Sequence, residues 1–155
     1  MRGPGFTVAV RKGVEALLAL GPDVKYKYSG KSSGSYYEVA ERAVEGEDLL
    51  VATVQEGERV IGYGIAALTN GEWNIEIIDV DAFSRRSTGL QRIVTIGGIE
   101  FGVGVGHVVV NALAPALKQP IYVDATGDAS RYIFKSLGFV PRPGEQNPCL
   151  LQLAG

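Results

Sequence analysis

Apolar positions along this chain follow two rhythms that alternate in blocks. Phe6–Val10, Leu49–Val54, Val60–Leu68 and Trp73–Val80 are short runs rich in β-branched and aromatic residues, and they read as strands. Glu56-Gly57-Glu58 and Asn70-Gly71 separate the last three. Asn-Gly is a strong hairpin signal, because a type I′ turn needs positive φ at both central positions. Between the first two strands the period changes. Val14, Leu17 and Leu18 share one helical face, with Gly21-Pro22 as the stop. Tyr36, Val39, Ala40, Ala43 and Val44 form a second stripe, with Glu38, Glu41 and Arg42 outside it. Residues 23–34, rich in Lys, Ser, Gly and Tyr, read as a loop, as does the polar run Ser84–Gly89.

The second half reads as a βαβ unit. Leu90–Ile96 is a β-branched strand, Gly102-Val103-Gly104-Val105-Gly106-His107 a glycine loop, and Ile121–Ala125 a second strand. Between loop and strand, Val109, Ala112, Leu113, Ala116 and Leu117 repeat at helical spacing. Pro115 falls inside that helix, so the helix is kinked or restarts there. The two strands of such a unit run parallel with a right-handed crossover. After it, Ala129, Tyr132, Ile133, Ser136 and Leu137 mark another helix, with Asp128 as N-cap and Gly138 just past its end. Phe139-Val140 and Leu150–Leu153 close the chain as two strands around Pro141–Gly144. The fold class is mixed α/β: a mostly antiparallel central sheet flanked by helices, with one parallel βαβ unit, in one domain spanning residues 1–155.

Composition removes several functions. A formal net charge of −2 gives no broad basic field, so nucleic acid is not expected as a partner. Cys149 is the one cysteine, which excludes an internal disulfide, and no His/Cys cluster suggests a metal. No apolar run has membrane-spanning length and no signal-peptide core opens the chain, so a cytoplasmic protein with no membrane partner is expected. The glycine loop is where positive chemistry enters. Backbone amides at a helix N-terminus hold phosphate, so the loop suggests a nucleotide-containing cofactor; the plain alternative is a tight turn.

The order of elements and two motifs resemble the GNAT superfamily of acyl-CoA-dependent N-acyltransferases. The family's loop pattern is Gln/Arg-x-x-Gly-x-Gly/Ala, and Phe101-Gly102-Val103-Gly104-Val105-Gly106 matches both glycines while Phe101 replaces the first residue. The family's helix end, Ala-x-x-x-Tyr-x-x-x-Gly-Phe, is similar to Ser130–Phe139 with its closing Leu-Gly-Phe. A rival register, Arg86-Ser87-Thr88-Gly89-Leu90-Gln91, would place Gly97, Gly98, Gly102, Gly104 and Gly106 in the following helix, each costing roughly 1 kcal/mol against alanine. The later loop is preferred. The meander also holds one strand more than the family's usual count, which the sequence places as an insertion at residues 73–89.

The resemblance implies acetyl-CoA or a related acyl-CoA as co-substrate, no metal, and a small-molecule or peptide amine as acceptor. It also makes a homodimer unsurprising. Phe101, Gly102, Val103, Gly104, Val105, Gly106 and His107 would hold the cofactor, with Gly127 and Ser130 beside it. In such chemistry a neutral amine attacks the thioester and a carboxylate takes its proton. Glu76, Asp79, Asp81 and Glu100 are candidates, Glu100 and Asp79 first; a solvated strand face is the bland alternative. The family's tyrosine acid corresponds to Phe134, which cannot protonate a thiolate. Arg85 and Arg86 could meet phosphate, and Tyr36 and Tyr37 could line the acceptor side. Two other readings stay open: a dinucleotide-binding Rossmann-like module, with Asp124 about 20 residues past the loop as its ribose acid, and a GNAT-like protein that binds acyl-CoA without catalysis.

Overall fold

The computed structural model describes residues 6–18, 20, 40–80 and 93–154. Its main sheet has seven strands in the order β1-β2-β3-β4-β7-β9-β8. These are β1 (Thr7–Lys12), β2 (Leu49–Glu56), β3 (Arg59–Thr69), β4 (Glu72–Val80), β7 (Ile121–Asp124), β8 (Val140–Pro141) and β9 (Leu150–Leu153). Between β4 and β7 in the chain, β5 (Ile93–Ile96) and β6 (Ile99–Gly102) form a separate two-stranded sheet. Residues 14–18 and 40–44 are helical (α1 and α2), followed later by α3 (Gly104–Leu113) and α4 (Asp128–Ser136).

The meander expected from alternation is present, with the Asn70-Gly71 turn at φ 53 and 79. Its two faces carry two cores. Val105, Val109 and Leu113 of α3, with Ile133 and Phe134 of α4, pack on Ala52, Val54, Ala66 and Ile75. Ala16, Leu17 and Leu20, with Ala43 of α2, pack on Val51, Tyr63 and Ile65. Two expected stripe members are turned outward: Leu18 is 63% and Val44 76% exposed. Gly62 and Gly64 of β3 lie under α3. A Cβ at Gly62 would stand 2.6 Å from Val105, and one at Gly64 2.7 Å from Val109, so glycine is what allows the helix this close.

One strand assignment needs correction. The parallel partner of β7 is β4, not the 90–96 segment: Trp73, Asn74 and Ile75 pair with Ile121, Tyr122 and Val123. The 93–96 segment turns back at Gly97-Gly98 and pairs with β6, so Phe101 and Gly102 are strand residues rather than loop. Of the span read as an insertion, residues 73–80 belong to β4 of the main sheet, and residues 81–92 lie outside the described ones. Of the glycines that the rival register would place in a helix, Gly97, Gly98 and Gly102 lie in the β5–β6 hairpin and Gly104 and Gly106 in α3, while residues 86–91 lie outside the described ones.

Pro115 ends α3 as its missing N–H requires. The α-helix stops at Leu113 and Ala114–Ala116 form a 3₁₀ turn. At α4 the N-cap is Gly127, and Asp128 is the first helical residue, its carboxylate bound by Arg131. With β4–β7 as the one parallel pair among the described strands, the sheet is not doubly wound, and the Rossmann reading falls with it.

Candidate functional site

A single irregularity in β4 shapes the site. Ala66 pairs with Ile75, but Ile65 pairs with Ile77, so Glu76 is an extra residue on β4, a β-bulge. On the other edge of β4, pairing with β7 stops at Ile75. Beyond the bulge β4 runs on to Val80, while β7 ends at Asp124. About 13–16 Å of β4 backbone, Glu76 to Val80, is flanked by β3 on one edge and by no described strand on the other.

The start of α3 lies near the Val80 end of β4. Val105 lies against Gly62, the residue paired with Val80 at the end of β4. Gly106 meets α4, where an added Cβ would come within 2.6 Å of Ile133 Cδ1. The first intrahelical bond is His107 N–H to Val103 O, so the amides of Gly104, Val105 and Gly106 precede the ladder. No side chain caps them and no acidic residue occupies the first turn. Three donors thus lie at the positive end of a helix dipole, on residues that are themselves buried, a chemistry suited to an anion.

At the bulge, Glu76 is tied down. Arg42 of α2 donates through Nη1 to Glu76 Oε1, and its Nε donates to both Glu47 oxygens at 3.1 and 3.0 Å. Thr69 Oγ1 accepts from Arg42 at 3.1 Å and donates to Glu47 Oε1 at 2.9 Å. The guanidinium bonds hold the Glu47 carboxyl below its usual 4.5, and the Arg42 guanidinium rises in turn. Glu76 Oε2 has no hydrogen bond to a described residue.

The sequence-derived site residues are distributed unevenly. Gly104, Val105 and Gly106, expected in a loop before the helix, are the first residues of α3 itself, and Gly127 and Ser130 lie at the first turn of α4. His107 is not a surface residue: it is half-buried between α3 and α4. Ser136 donates its hydroxyl proton to Ile133 O at 2.7 Å, so the 2.5 Å contact with His107 has Nε2–H as donor. Tyr132 meets the imidazole edge-on at 6.2 Å. His107 therefore joins two helices. Glu100 sits on the separate hairpin, exposed and opposite Thr95, away from the bulge strand. Asp79 lies on β4 beyond the bulge, opposite Tyr63. Phe134 is buried edge-on against Phe139, centroids 5.0 Å apart, a core residue. Tyr36, Tyr37, Asp81, Arg85 and Arg86 lie outside the described residues.

Sequence reasoning ranked Glu76 below Asp79 and Glu100, and it missed Arg42 altogether. The signal was faint: Glu76 interrupts an otherwise apolar Ile75–Ile78 run, where alternation alone would have put it on one regular face.

No protein-family model matches the chain, and no curated protein sequence does. Solved structures do. The chain is similar to the ribosomal-protein-S18-alanine N-acetyltransferase of Escherichia coli, at 14% identity and a TM-score of 0.58, over 96% of this chain and 97% of that one. A putative GNAT-family acetyltransferase of Desulfovibrio desulfuricans overlaps at 15% and 0.55, over 96% and 99%. The AtaTR complex bound with acetyl-CoA overlaps at 14% and 0.50, over 97% and 94%. At these identities the likeness establishes architecture: the chain has the GNAT acyltransferase fold. An AtaT–AtaR complex bound to DNA also overlaps, at 14% and 0.49, too loosely to speak of this chain's partners. Among the described residues no helix is long and apolar enough to cross a membrane, and no group of His, Cys, Asp and Glu could hold a metal ion.

Proposed function

We propose that the protein is an acyl-CoA-dependent N-acyltransferase acting on an amine. The observation that carries this reading is the end of the β4–β7 ladder at the Glu76 bulge, with the uncapped N-terminus of α3 beside the β4 edge left unpaired. This arrangement suits a long molecule with a phosphate at one end and an amide-bearing arm. The pyrophosphate of acetyl-CoA accepts from the Gly104–Gly106 amides, which serve without the Gln or Arg that Phe101 replaces. The arm lies along β4 as an added strand would, its amides bonding the free backbone of residues 76–80. The thioester then reaches the bulge, where an acceptor amine attacks its carbonyl. The nitrogen gives its proton through water to Glu76 Oε2, the carbon–sulfur bond breaks, and the CoA thiolate takes a proton from solvent. Glu76 thus stands ahead of Asp79 and Glu100 as the base, and Arg42 positions it. Phe134 takes no part.

Titration calorimetry with acetyl-CoA, followed by a free-thiol assay over a panel of amines, tests this. Saturable binding and amine-dependent thiol release are expected, with Glu76→Gln lowering turnover about 10²–10³-fold while acetyl-CoA affinity stays. Absence of acetyl-CoA binding overturns the reading. Binding without thiol release would instead support a non-catalytic acyl-CoA-binding protein, the second reading that buried Phe134 favours.

A further inference from the structure

A cavity with a defined chemistry lies at the other end of the sheet. It has a volume of about 570 Å³ and sits where β1 ends and β2 and β4 begin, the end away from the α3 N-terminus. Trp73, Leu49, Leu50 and Val14 supply apolar wall, and the charged lining side chains are Lys12, Glu47 and Asp48. Glu47 is already engaged by Arg42 and Thr69. Lys12 and Asp48 form no ion pair with each other or with any described residue. Both nevertheless stand on fixed backbone. Asp48 O accepts from Leu68 N–H at 2.9 Å, and Lys12 pairs opposite Leu50 in the β1–β2 ladder.

One exposed cation and one exposed anion therefore flank an apolar cavity without pairing with each other. The volume lies within the range of small-molecule pockets. We propose that this cavity binds a zwitterion with an apolar body, a free α-amino acid with a large aliphatic or aromatic side chain. Its ammonium meets Asp48, its carboxylate meets Lys12, and its side chain lies against Trp73 and Leu50. An anion alone would face Asp48, and a cation alone would face Lys12; a molecule carrying both charges satisfies the pair. The site is separate from the unpaired edge of β4, and the proposal stands whether or not the protein transfers acyl groups.

Trp73 is the chain's only tryptophan, so its fluorescence reports this cavity directly. The experiment titrates the full chain with L-leucine and L-phenylalanine, and with two leucine analogues: N-acetyl-L-leucine, lacking the ammonium, and L-leucinamide, lacking the carboxylate. Saturable fluorescence change with the free amino acids is expected, each analogue binding at least about tenfold more weakly. Asp48→Asn should weaken leucine about tenfold and erase the difference between leucine and its N-acetyl form; Lys12→Met should do the same for leucinamide. No saturable change with the free amino acids overturns the proposal, and so does binding of either analogue to the wild-type chain as tightly as leucine, a comparison that needs no variant to fold.

Discussion

Arg42 holds together parts of the chain that are 34 residues apart, donating to Glu76 on β4 while gripping Glu47 beside its own helix. The arrangement has a pH signature. Glu47 is held below its usual carboxylate range in the folded state, so its stabilisation is present above the unfolded value near 4.5 and is lost as pH falls through the lower folded value. Arg42→Met should remove that contribution. Urea midpoints measured from pH 7 downward should show a loss on the order of 1 kcal/mol at neutral pH, narrowing towards the wild type as Glu47 is protonated. A difference that grows on acidification would contradict the assigned role. At this scale the glycines of the helix start were legible in the sequence, because few side chains could serve there. Glu76 was not. Whether a strand residue sits in a bulge depends on how its neighbour pairs, and β3 with β4 decided that.

Helix α3 is held by absences of side chain: Gly62 and Gly64 beneath it, Gly106 facing α4. Gly106→Ala places a methyl 2.6 Å from Ile133 Cδ1, while alanine favours the helix by about 1 kcal/mol. Because the obstruction is the end of a side chain, trimming it should relieve the strain. Gly106→Ala alone is expected to destabilise by about 1–3 kcal/mol, and the double variant with Ile133→Val to recover part of that loss. Denaturant midpoints around the cycle give the coupling; strict additivity would mean that the two helices do not meet there. The boundaries of α3 were half readable. Pro115 announced the end in the sequence, but the start was hidden by the β6 strand, whose glycine-bounded residues look like loop from composition alone.

The two cores lie on opposite faces of one seven-stranded sheet, sharing strands β2 and β3. Neither can be lost while the other keeps its floor. We therefore read residues 1–155 as one cooperative unit and expect one unfolding transition, with Trp73 fluorescence and far-ultraviolet circular dichroism giving coincident curves. Separated midpoints would show that the α1–α2 side melts independently and that the one-domain reading is wrong.

At this largest scale the division between sequence and fold is sharpest. Alternation and helical spacing, read locally, determined the meander, the Asn70-Gly71 turn, the helix broken at Pro115 and the closing strands, because each depends on residues a few positions apart. The tertiary structure decided which strand lies parallel to β7. Strand 93–96 and strand β4 are both β-branched and both precede the helix, and only long-range packing chose β4 and left the other in a hairpin. It also decided the bulge at Glu76 and where the β4–β7 ladder ends, since register is a property of two strands and is written in neither one alone.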